Sequence, residues 1–449
     1  MSDRNPIWIA QRHGQDWRDE DVLRAIEWLT SVVDGQSWSN RLEKVRQTFD
    51  SAKREWAAGN RVRLFDPDDA IAWYVFQANA FAAQRQDCYE PESYRIVPIF
   101  QRLGQILPQL KSVKGASDRL RTLMTKGRRQ PDDGLFEFLV AGAYKCRSWT
   151  NVEFVPEQPG IKKTHDLLVS TSHRRWAVEC KRVNRSGYEA RERELGDALA
   201  DPVHELCRSR RRSIVLDVSF TVELTELRVS YLAERVEAFL SNPLLNRWTD
   251  AQGIGQVRDI DWHTADLVLE HDDVFFGSSR MVELLVGRYT PYVDHSVAAD
   301  WLPAPQRPLF ATAIGQASVV SWMSTSMEAA KRKAKHFRAL VASANEQLAA
   351  DCPGVIHVGY EARDGNSVDD LRHLFNRLEM ETFDSDQSRL RWVYGHYLTP
   401  EHTTACNESA AISETTATYK IGRHRTAQPL TNKLLLSDEP GRLGDHWKR

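Results

Sequence analysis

Apolar residues in the first third of the chain recur at the spacing of helices. Between about Asp19 and Arg129 they lie three or four positions apart, as in Val22, Ile26 and Leu29, and the two-residue alternation typical of strands is missing. The pattern predicts an all-helical N-terminal domain over residues 1–130. Tryptophan is highly buried on average, so we expect the tryptophans of this region to fill its core. They are Trp8, Trp17, Trp28, Trp38, Trp56 and Trp73.

From Pro131 onward, short apolar runs alternate with helical patterns. The predicted elements are a helix, three short strands, a helix and a strand, at 135–147, 151–155, 166–170, 175–183, 187–210 and 214–220. This αβββαβ order over residues 131–225 predicts an α/β fold whose core is one mixed sheet.

The rest of the chain has a less regular pattern. Residues 226–400 contain a basic helix over 327–348 and an apolar strand over 355–360. We expect this region to be an α+β extension that packs on the core, with the strand in the same sheet. After Pro400 the chain becomes polar and rich in Thr, Ser and Ala. Residues 401–449 are therefore predicted to be a loosely ordered tail, because such a segment offers little apolar surface to bury.

Composition constrains the cellular setting more than the chemistry. The 449 residues carry a formal charge of −2, so any attraction to nucleic acid must come from local patches. Six cysteines without a CxxC pair argue against a zinc ribbon or a disulfide scaffold and fit a reducing compartment. The N-terminus shows no apolar signal core, and no apolar run is long and pure enough to span a bilayer. We expect a cytoplasmic protein with no membrane span.

Two carboxylates and a lysine lie in adjacent predicted strands. Asp166 stands at the start of one apolar run, and Glu179 and Lys181 lie two positions apart in the next. If Ser172 and His173 form a tight hairpin loop, Asp166 lies opposite Glu179. Side chains alternate along a strand, so Lys181 projects on the same face as Glu179. The opposite face carries the apolar residues Leu167, Val169, Trp176, Val178 and Cys180.

Two opposed carboxylates require a counter-charge. Left alone, directly opposed like charges cost about 0.2–1 kcal/mol. A divalent cation between them reverses the sign of this interaction, and hard oxygen ligands suit Mg²⁺ or Mn²⁺. Lys181 cannot ligate a metal while it is protonated, but it can orient the attacking water or offset charge on a phosphorane. The arrangement predicts hydrolysis of a phosphodiester.

The sequence Asp166, followed thirteen residues later by Glu179-x-Lys181 within an αβββαβ order, resembles the PD-(D/E)xK nuclease superfamily, whose fold is restriction-endonuclease-like. The resemblance implies that Asp166, Glu179 and the backbone carbonyl of Cys180 hold the metal, while Lys181 assists the water. Some members add a glutamate from the first helix, for which Glu137 is the matching candidate. His165 stands where the motif name has proline.

Basic residues surround these positions and predict a cleft that holds a polyanion. They include Lys162, Lys163, Arg174, Arg175, Arg182, Arg185, Arg191 and Arg193. A second basic stretch, 111–129, is interpreted either as a solvated helix face or as a phosphate-contacting strip.

The leading functional hypothesis is a metal-dependent nuclease, most simply a DNA endonuclease that acts alone, as a homodimer or with a partner protein. By analogy with the superfamily, it would serve in restriction or antiviral defence. The alternatives are an RNase of the same fold, a non-cleaving nucleic-acid-binding or assembly module, and a helical interaction protein in which Glu179 and Lys181 pair on the surface. No Walker loop, HExxH helix or GxSxG motif occurs, so no ATP motor, zinc peptidase or serine hydrolase is expected.

Overall fold

The computed structural model describes residues 19–57, 62–84, 87–156, 164–183, 187–290, 293–305, 307–361, 366–385, 388–401, 411–431 and 433–438. Over these ranges the protein is mixed α/β, with thirteen α-helices and two mixed sheets. The helices are α1 (Asp19–Thr30), α2 (Gly35–Ala57), α3 (Ala70–Ala83), α4 (Glu90–Gln105), α5 (Leu107–Lys111), α6 (Ala116–Thr125), α7 (Pro131–Cys146), α8 (Gly187–Arg210), α9 (Tyr231–Ser241), α10 (His263–Leu269), α11 (Ser279–Val286), α12 (Met327–Asn345) and α13 (Asn366–Glu381). None of those helices combines the length and apolarity that crossing a bilayer requires.

The twelve strands divide into two sheets of six strands each. They are β1 (Asn151–Phe154), β2 (Leu167–Ser170), β3 (Arg175–Val183), β4 (Ile214–Phe220), β5 (Arg247–Thr249), β6 (Gly253–Asp259), β7 (Val274–Phe275), β8 (Asp294–Ala304), β9 (Arg307–Ser324), β10 (Gly354–Glu361), β11 (Leu390–Glu401) and β12 (Ala411–Lys420). The first sheet has the order β1-β2-β3-β10-β11-β12. The second has β5-β6-β4-β9-β7, and β8 pairs with β9.

The N-terminal region up to α6 is helical, as predicted. Helix α3 is apolar on nearly every side because it is buried between its neighbours, and the Trp73 ring stacks on Phe65 at 5.1 Å. Trp28 is also buried, and Trp38 and Trp56 pack against the same core. The prediction that these tryptophans fill the core is confirmed for the four in the described ranges. Trp8 and Trp17 lie outside the described residues.

The first sheet is covered by helices on both faces. One buried cluster joins the N-terminal helices to α7 and to one face of β2 and β3, including Val169, Val178 and Cys180. A second cluster packs Phe337 and Val341 of α12 against the other face. The helical region therefore packs directly on the sheet, which brings side chains of α6 to the end of the β2–β3 hairpin.

The fourth strand of the expected core lies elsewhere. We expected 214–220 in the same sheet as the three preceding strands, but β4 pairs with β6 and β9 in the second sheet. The place beside β3 is taken by β10, which runs parallel to it, so the expectation that this later strand joins the first sheet is confirmed. One face of β4 is apolar and buried, and on the other face Val215 is buried in a second apolar cluster, so a short apolar run of this kind is compatible with either sheet.

The prediction of a loosely ordered tail is wrong for the described residues beyond 410. Strand β12 pairs antiparallel with β11, and the segment after it buries Leu430 and Leu435 in the main core. Polar composition did not prevent order here, because the strand ladder and side chains of the core satisfy the backbone. Arg102, for example, donates to the Leu435 carbonyl and forms an ion pair with Asp438.

Glu414 on β12 is the principal anchor of this C-terminal segment. Its buried carboxylate accepts hydrogen bonds from the amides of Leu435 and Leu436 at 2.8 Å and lies 3.2 Å from His396 Nδ1. We expect Glu414→Ala to lower the free energy of unfolding by about 2–4 kcal/mol, because it leaves several buried donors unpaired. Urea unfolding would measure the loss. Glu381→Ala, at a residue with 61% of its side chain exposed, is the control, and equal losses in both variants would contradict the prediction.

Candidate active site

The β2–β3 hairpin has the predicted register. Leu167 pairs with Val178 and Leu168 with Ala177, and the turn is closed by the Thr171 amide, which donates to the Arg174 carbonyl at 2.8 Å. Pairing of β2 begins at Leu167, so Asp166 lies just before the first ladder pair. The Asp166 carbonyl accepts from the amide of Val155, which follows β1, and this bond fixes the entry to the hairpin at 2.9 Å.

Asp166 continues the ladder with its side chain. Its Oδ2 accepts a hydrogen bond from the Cys180 amide at 2.8 Å. In an extended strand the N–H and C=O of one residue point to the same edge, so the Cys180 carbonyl also points to the β2 side, beyond the end of β2. The Cys180 side chain is buried in the core on the α7 face, as predicted. A carboxylate and a peptide carbonyl thus lie beside each other at an open end of the ladder.

Glu179 and Lys181 form a close pair at this end of the hairpin. Lys181 Nζ lies 2.6 Å from Glu179 Oε1, and only 1% of the Glu179 side chain is exposed. This burial excludes the alternative of an ordinary surface ion pair. Glu179 Oε2 is also buried and receives no hydrogen bond from any donor in the described part of the chain. Such an oxygen is costly to bury and calls for a proton or a cation.

Glu137 faces this cluster from α7, but Arg119 on α6 occupies its carboxylate. The Arg119 guanidinium donates to both Glu137 oxygens and lies 3.3 Å from Asp166 Oδ1. Glu137 is buried, so its helix stripe faces the site rather than solvent. Arg119 therefore bridges two acids where the resemblance implied a metal.

The start of α6 explains how Arg119 reaches the site. Lys114 exchanges backbone hydrogen bonds with Val152 and Phe154 of β1, at 3.1 and 2.9 Å. Gly115 then adopts a left-handed conformation, with φ of 80°, where a β-carbon would crowd the Phe154 carbonyl at 3.2 Å. The helix thus begins against the sheet edge. Sequence reasoning did not single out Arg119, although one signal was available, since it is a charged residue beside Ala116, Leu120 and Leu123 on the buried stripe of its helix.

Burial and mutual repulsion dominate the electrostatics of the cluster. Burial, followed by the Asp166 charge, raises the pKa of both Glu179 and Glu137. Burial also raises the pKa of Asp166, against the opposing effects of the Cys180 amide, Arg119 and Lys181. In Asp133, burial and then Asp132 raise the pKa to about 6. The acids are therefore poised to take up protons or a cation near neutral pH.

Lys181 remains an ammonium in this setting. Burial lowers its pKa, but the charge and hydrogen bond of Glu179 and the charge of Asp166 outweigh that effect, and the net pKa of Lys181 is raised. A protonated lysine cannot act as a base or as a metal ligand. It can donate hydrogen bonds to a water or to a phosphate oxygen, as the sequence interpretation requires.

The donor set fits Mg²⁺ or Mn²⁺ in a partly hydrated form. In the described ranges, no group of three or more His, Cys, Asp and Glu side chains is disposed to hold a metal ion, so a complete protein cage is absent there. Mg²⁺ usually binds through one or two carboxylates and keeps several waters. Asp166, Glu179 with its unpaired Oε2, and the Cys180 carbonyl match that requirement. Glu137 does not, because Arg119 holds it.

A cleft of about 500 Å³ opens between the N-terminal helices and the end of β3. Its lining includes three arginines, Arg95, Arg129 and Arg182, together with Tyr74 and Asp132. Arg182 follows Lys181 directly, so the cleft adjoins the cluster. Arg95 pairs there with Glu92 and Asp132, and Arg129 pairs with Asp68, so acids already balance part of the arginine charge.

The other predicted basic residues form different kinds of contact. Arg175 pairs with Asp351, Arg191 with Glu194, and Arg174 lies over the Trp149 ring. In the 111–129 stretch, Lys114 and Arg121 pair with acids near solvent, while Arg119 turns inward. Lys162, Lys163 and Arg185 lie outside the described residues.

A scan against protein-family models, a search of curated proteins and a search of solved structures each gave no match for this chain.

Proposed function

We propose that this chain is a metal-dependent phosphodiesterase of the PD-(D/E)xK type that cleaves DNA. The observation that carries the proposal is the convergence of Asp166, the Cys180 carbonyl and the buried Glu179–Lys181 pair at the open end of the β2–β3 hairpin. These four groups are the kind that phosphodiester hydrolysis through a hard cation requires. A bound cation would satisfy the buried Glu179 oxygen, which has no donor among the described residues.

The fold around the cluster supports the same proposal. Helix α7, strands β1 to β3, helix α12 and strand β10 follow one another in the order αβββαβ, with α7 and α12 on opposite faces of the sheet. We interpret this set as a restriction-endonuclease-like core. Residues 187–326 then form an insertion between its third strand and its second helix, and the insertion carries the second sheet.

Each residue has a distinct proposed role. Asp166, Glu179 and the Cys180 carbonyl would hold Mg²⁺ or Mn²⁺. When bound, the ion lowers the pKa of a water and polarises the phosphate. Lys181, held as an ammonium 2.6 Å from Glu179, orients the water and offsets negative charge that develops on the phosphorane. The Arg119–Glu137 pair positions Asp166.

The substrate is proposed from charge and setting. The cleft beside Lys181 carries Arg95, Arg129 and Arg182, for which a sugar-phosphate backbone would compete with the acids that now pair with Arg95 and Arg129. Contacts of this kind make no demand for a particular base. DNA is the proposed substrate, and by analogy with the superfamily, defence against foreign DNA is the proposed role. A homodimer or a partner protein would supply a second cluster for cutting both strands in one binding event.

The test is to incubate purified protein with supercoiled plasmid, linear duplex DNA and RNA of matched sequence, each with Mg²⁺, Mn²⁺ or EDTA. We expect cleavage of DNA with either metal and none with EDTA. Conversion of plasmid to nicked circles or to linear DNA distinguishes cutting of one strand from cutting of both. Metal-dependent cleavage of RNA alone would favour an RNase, and salt-sensitive binding without product would favour a non-cleaving module.

A further inference from the structure

Five polar side chains lie in one row across the second sheet. Arg247 on β5 pairs with Gln256 on β6, Gln256 pairs with Asp217 on β4, and Asp217 pairs with Ser321 on β9. Ser321 in turn pairs with His295 on β8. Directly paired residues point to the same face of a sheet, so these five side chains share one face.

Helices cover only part of this face. One step along the strands, Val215 and Val319 are buried with α11 residues in an apolar cluster. Over the polar row, by contrast, lies a cavity of about 640 Å³ that all five side chains line. It sits towards the carboxyl ends of the parallel strands β4 and β9, where Ser219 and Met323 also line it. In open α/β sheets, ligands bind in the crevice at the carboxyl ends of the strands.

Part of the row is already arranged by internal hydrogen bonds. His295 Nε2 lies 3.3 Å from the Thr290 carbonyl and must donate to it, so Nδ1 accepts from the Ser321 hydroxyl, 2.9 Å away. Burial lowers the pKa of His295, which keeps the ring neutral. This end of the row is therefore rigid and uncharged.

The other end of the row has polar side chains that are available to bind a ligand. No side-chain hydrogen bond or ion pair is formed by Arg247, Gln256 or Asp217 within the described residues, and the same holds for Arg288 at the rim. A cavity of roughly 300–1,000 Å³ with apolar walls and a few convergent polar groups is typical of a small-molecule site. The apolar walls here are Ile254, Val286 and Met323.

The chemistry of these groups defines the ligand. A carboxylate and an amide suit the hydroxyls of a ribose, two arginines suit a phosphate, and apolar walls suit a flat ring. We infer that this cavity binds a ribonucleoside phosphate, with the ribose hydroxyls on Asp217 and Gln256 and the phosphate on Arg247 and Arg288. This site is separate from the proposed nuclease cluster, since the two lie on different sheets.

The test is calorimetric titration of the full chain with AMP, GMP, CMP and UMP in EDTA, which prevents metal-bridged binding at the nuclease cluster. We expect at least one of the four to bind saturably at one site per chain. The 2′-deoxynucleotide should bind about tenfold more weakly, because it lacks a hydroxyl that bonds to a charged group, and the matching nucleoside at least about tenfold more weakly, because it lacks the phosphate that contacts both arginines. Failure of all four to bind, or equal affinity for the deoxy form, would overturn the inference.

Two variants assign the contacts. Asp217→Asn should weaken binding of the ribonucleotide about tenfold and leave the 2′-deoxynucleotide unchanged. The double variant Arg247→Ala/Arg288→Ala should remove the difference between nucleotide and nucleoside. Arg228→Ala, an exposed arginine that pairs with Glu234, is the matched control and should bind like the parent chain. Unchanged affinities in both test variants would also overturn the inference, and a thermal midpoint for each variant confirms that it is folded.

Discussion

Replacing Glu179 by glutamine is expected to reduce metal-dependent DNA cleavage by at least about a thousandfold. The substitution keeps the shape of a side chain that is 1% exposed, but it removes the charge that would bind the metal. Losing about 4 kcal/mol of charge stabilisation in the transition state corresponds to that factor, at about 1.4 kcal/mol per tenfold change in rate. Initial rates on supercoiled plasmid in Mg²⁺ provide the measurement.

The control for this result is Glu194→Gln on α8, where 67% of the side chain is exposed. It should cleave at the parent rate. The thermal midpoint of Glu179→Gln in EDTA checks that the variant is folded, because the amide removes a repulsion with Asp166 but also the ion pair with Lys181. Cleavage within tenfold of the parent rate by a folded Glu179→Gln protein would rule out the proposed mechanism.

Replacing Arg119 by alanine is expected to destabilise the metal-free protein by about 3–5 kcal/mol, because it leaves buried Glu137 and Asp166 without their shared cation. The same change should tighten binding of Mn²⁺, since the arginine charge no longer opposes a second cation beside Asp166. Urea unfolding with EDTA and with Mn²⁺, together with Mn²⁺ titration, measures both effects. We expect saturating Mn²⁺ to restore most of the lost stability.

Arg121→Ala provides a matched control two positions further along the same helix. Its side chain is 60% exposed and pairs with Asp118, itself exposed on the same helix, so its removal should change stability by less than about 1 kcal/mol. If Arg119→Ala and Arg121→Ala lose equal stability, the bridging role of Arg119 is wrong. If Mn²⁺ fails to restore the stability of Arg119→Ala, then Glu137 and Asp166 do not form a cation site even when the arginine is removed.

The hairpin at the candidate site could be predicted because its determinants are local. The alternation of apolar residues and a four-residue turn set the register of β2 and β3. That register alone brings Asp166 next to the strand that carries Glu179 and Lys181. The orientation of Glu137 could not be predicted in the same way, because the sequence of α7 does not indicate which neighbour covers that side of the helix.

The parts that were not predicted depend on contacts between distant segments. Arg119 reaches Asp166 only because the N-terminal helices pack on the sheet. The order of strands in the first sheet was missed because β4 and β10 are both short apolar runs, and either could lie beside β3 on composition alone. The polar row from Arg247 to His295 consists of single residues on five strands, and nothing local links them.

The sequence by itself determined the class of the fold, the helical start, the β2–β3 register and the three side chains of the catalytic proposal. Hydrophobic periodicity and turn chemistry act over a few residues, so they can be evaluated without knowing the partners of a segment. The tertiary structure alone decided that β4 lies in the second sheet, which cation bridges the buried acids, and where the second cavity lies. These outcomes depend on long-range pairing and burial, which many sequences satisfy equally well at the level of local pattern.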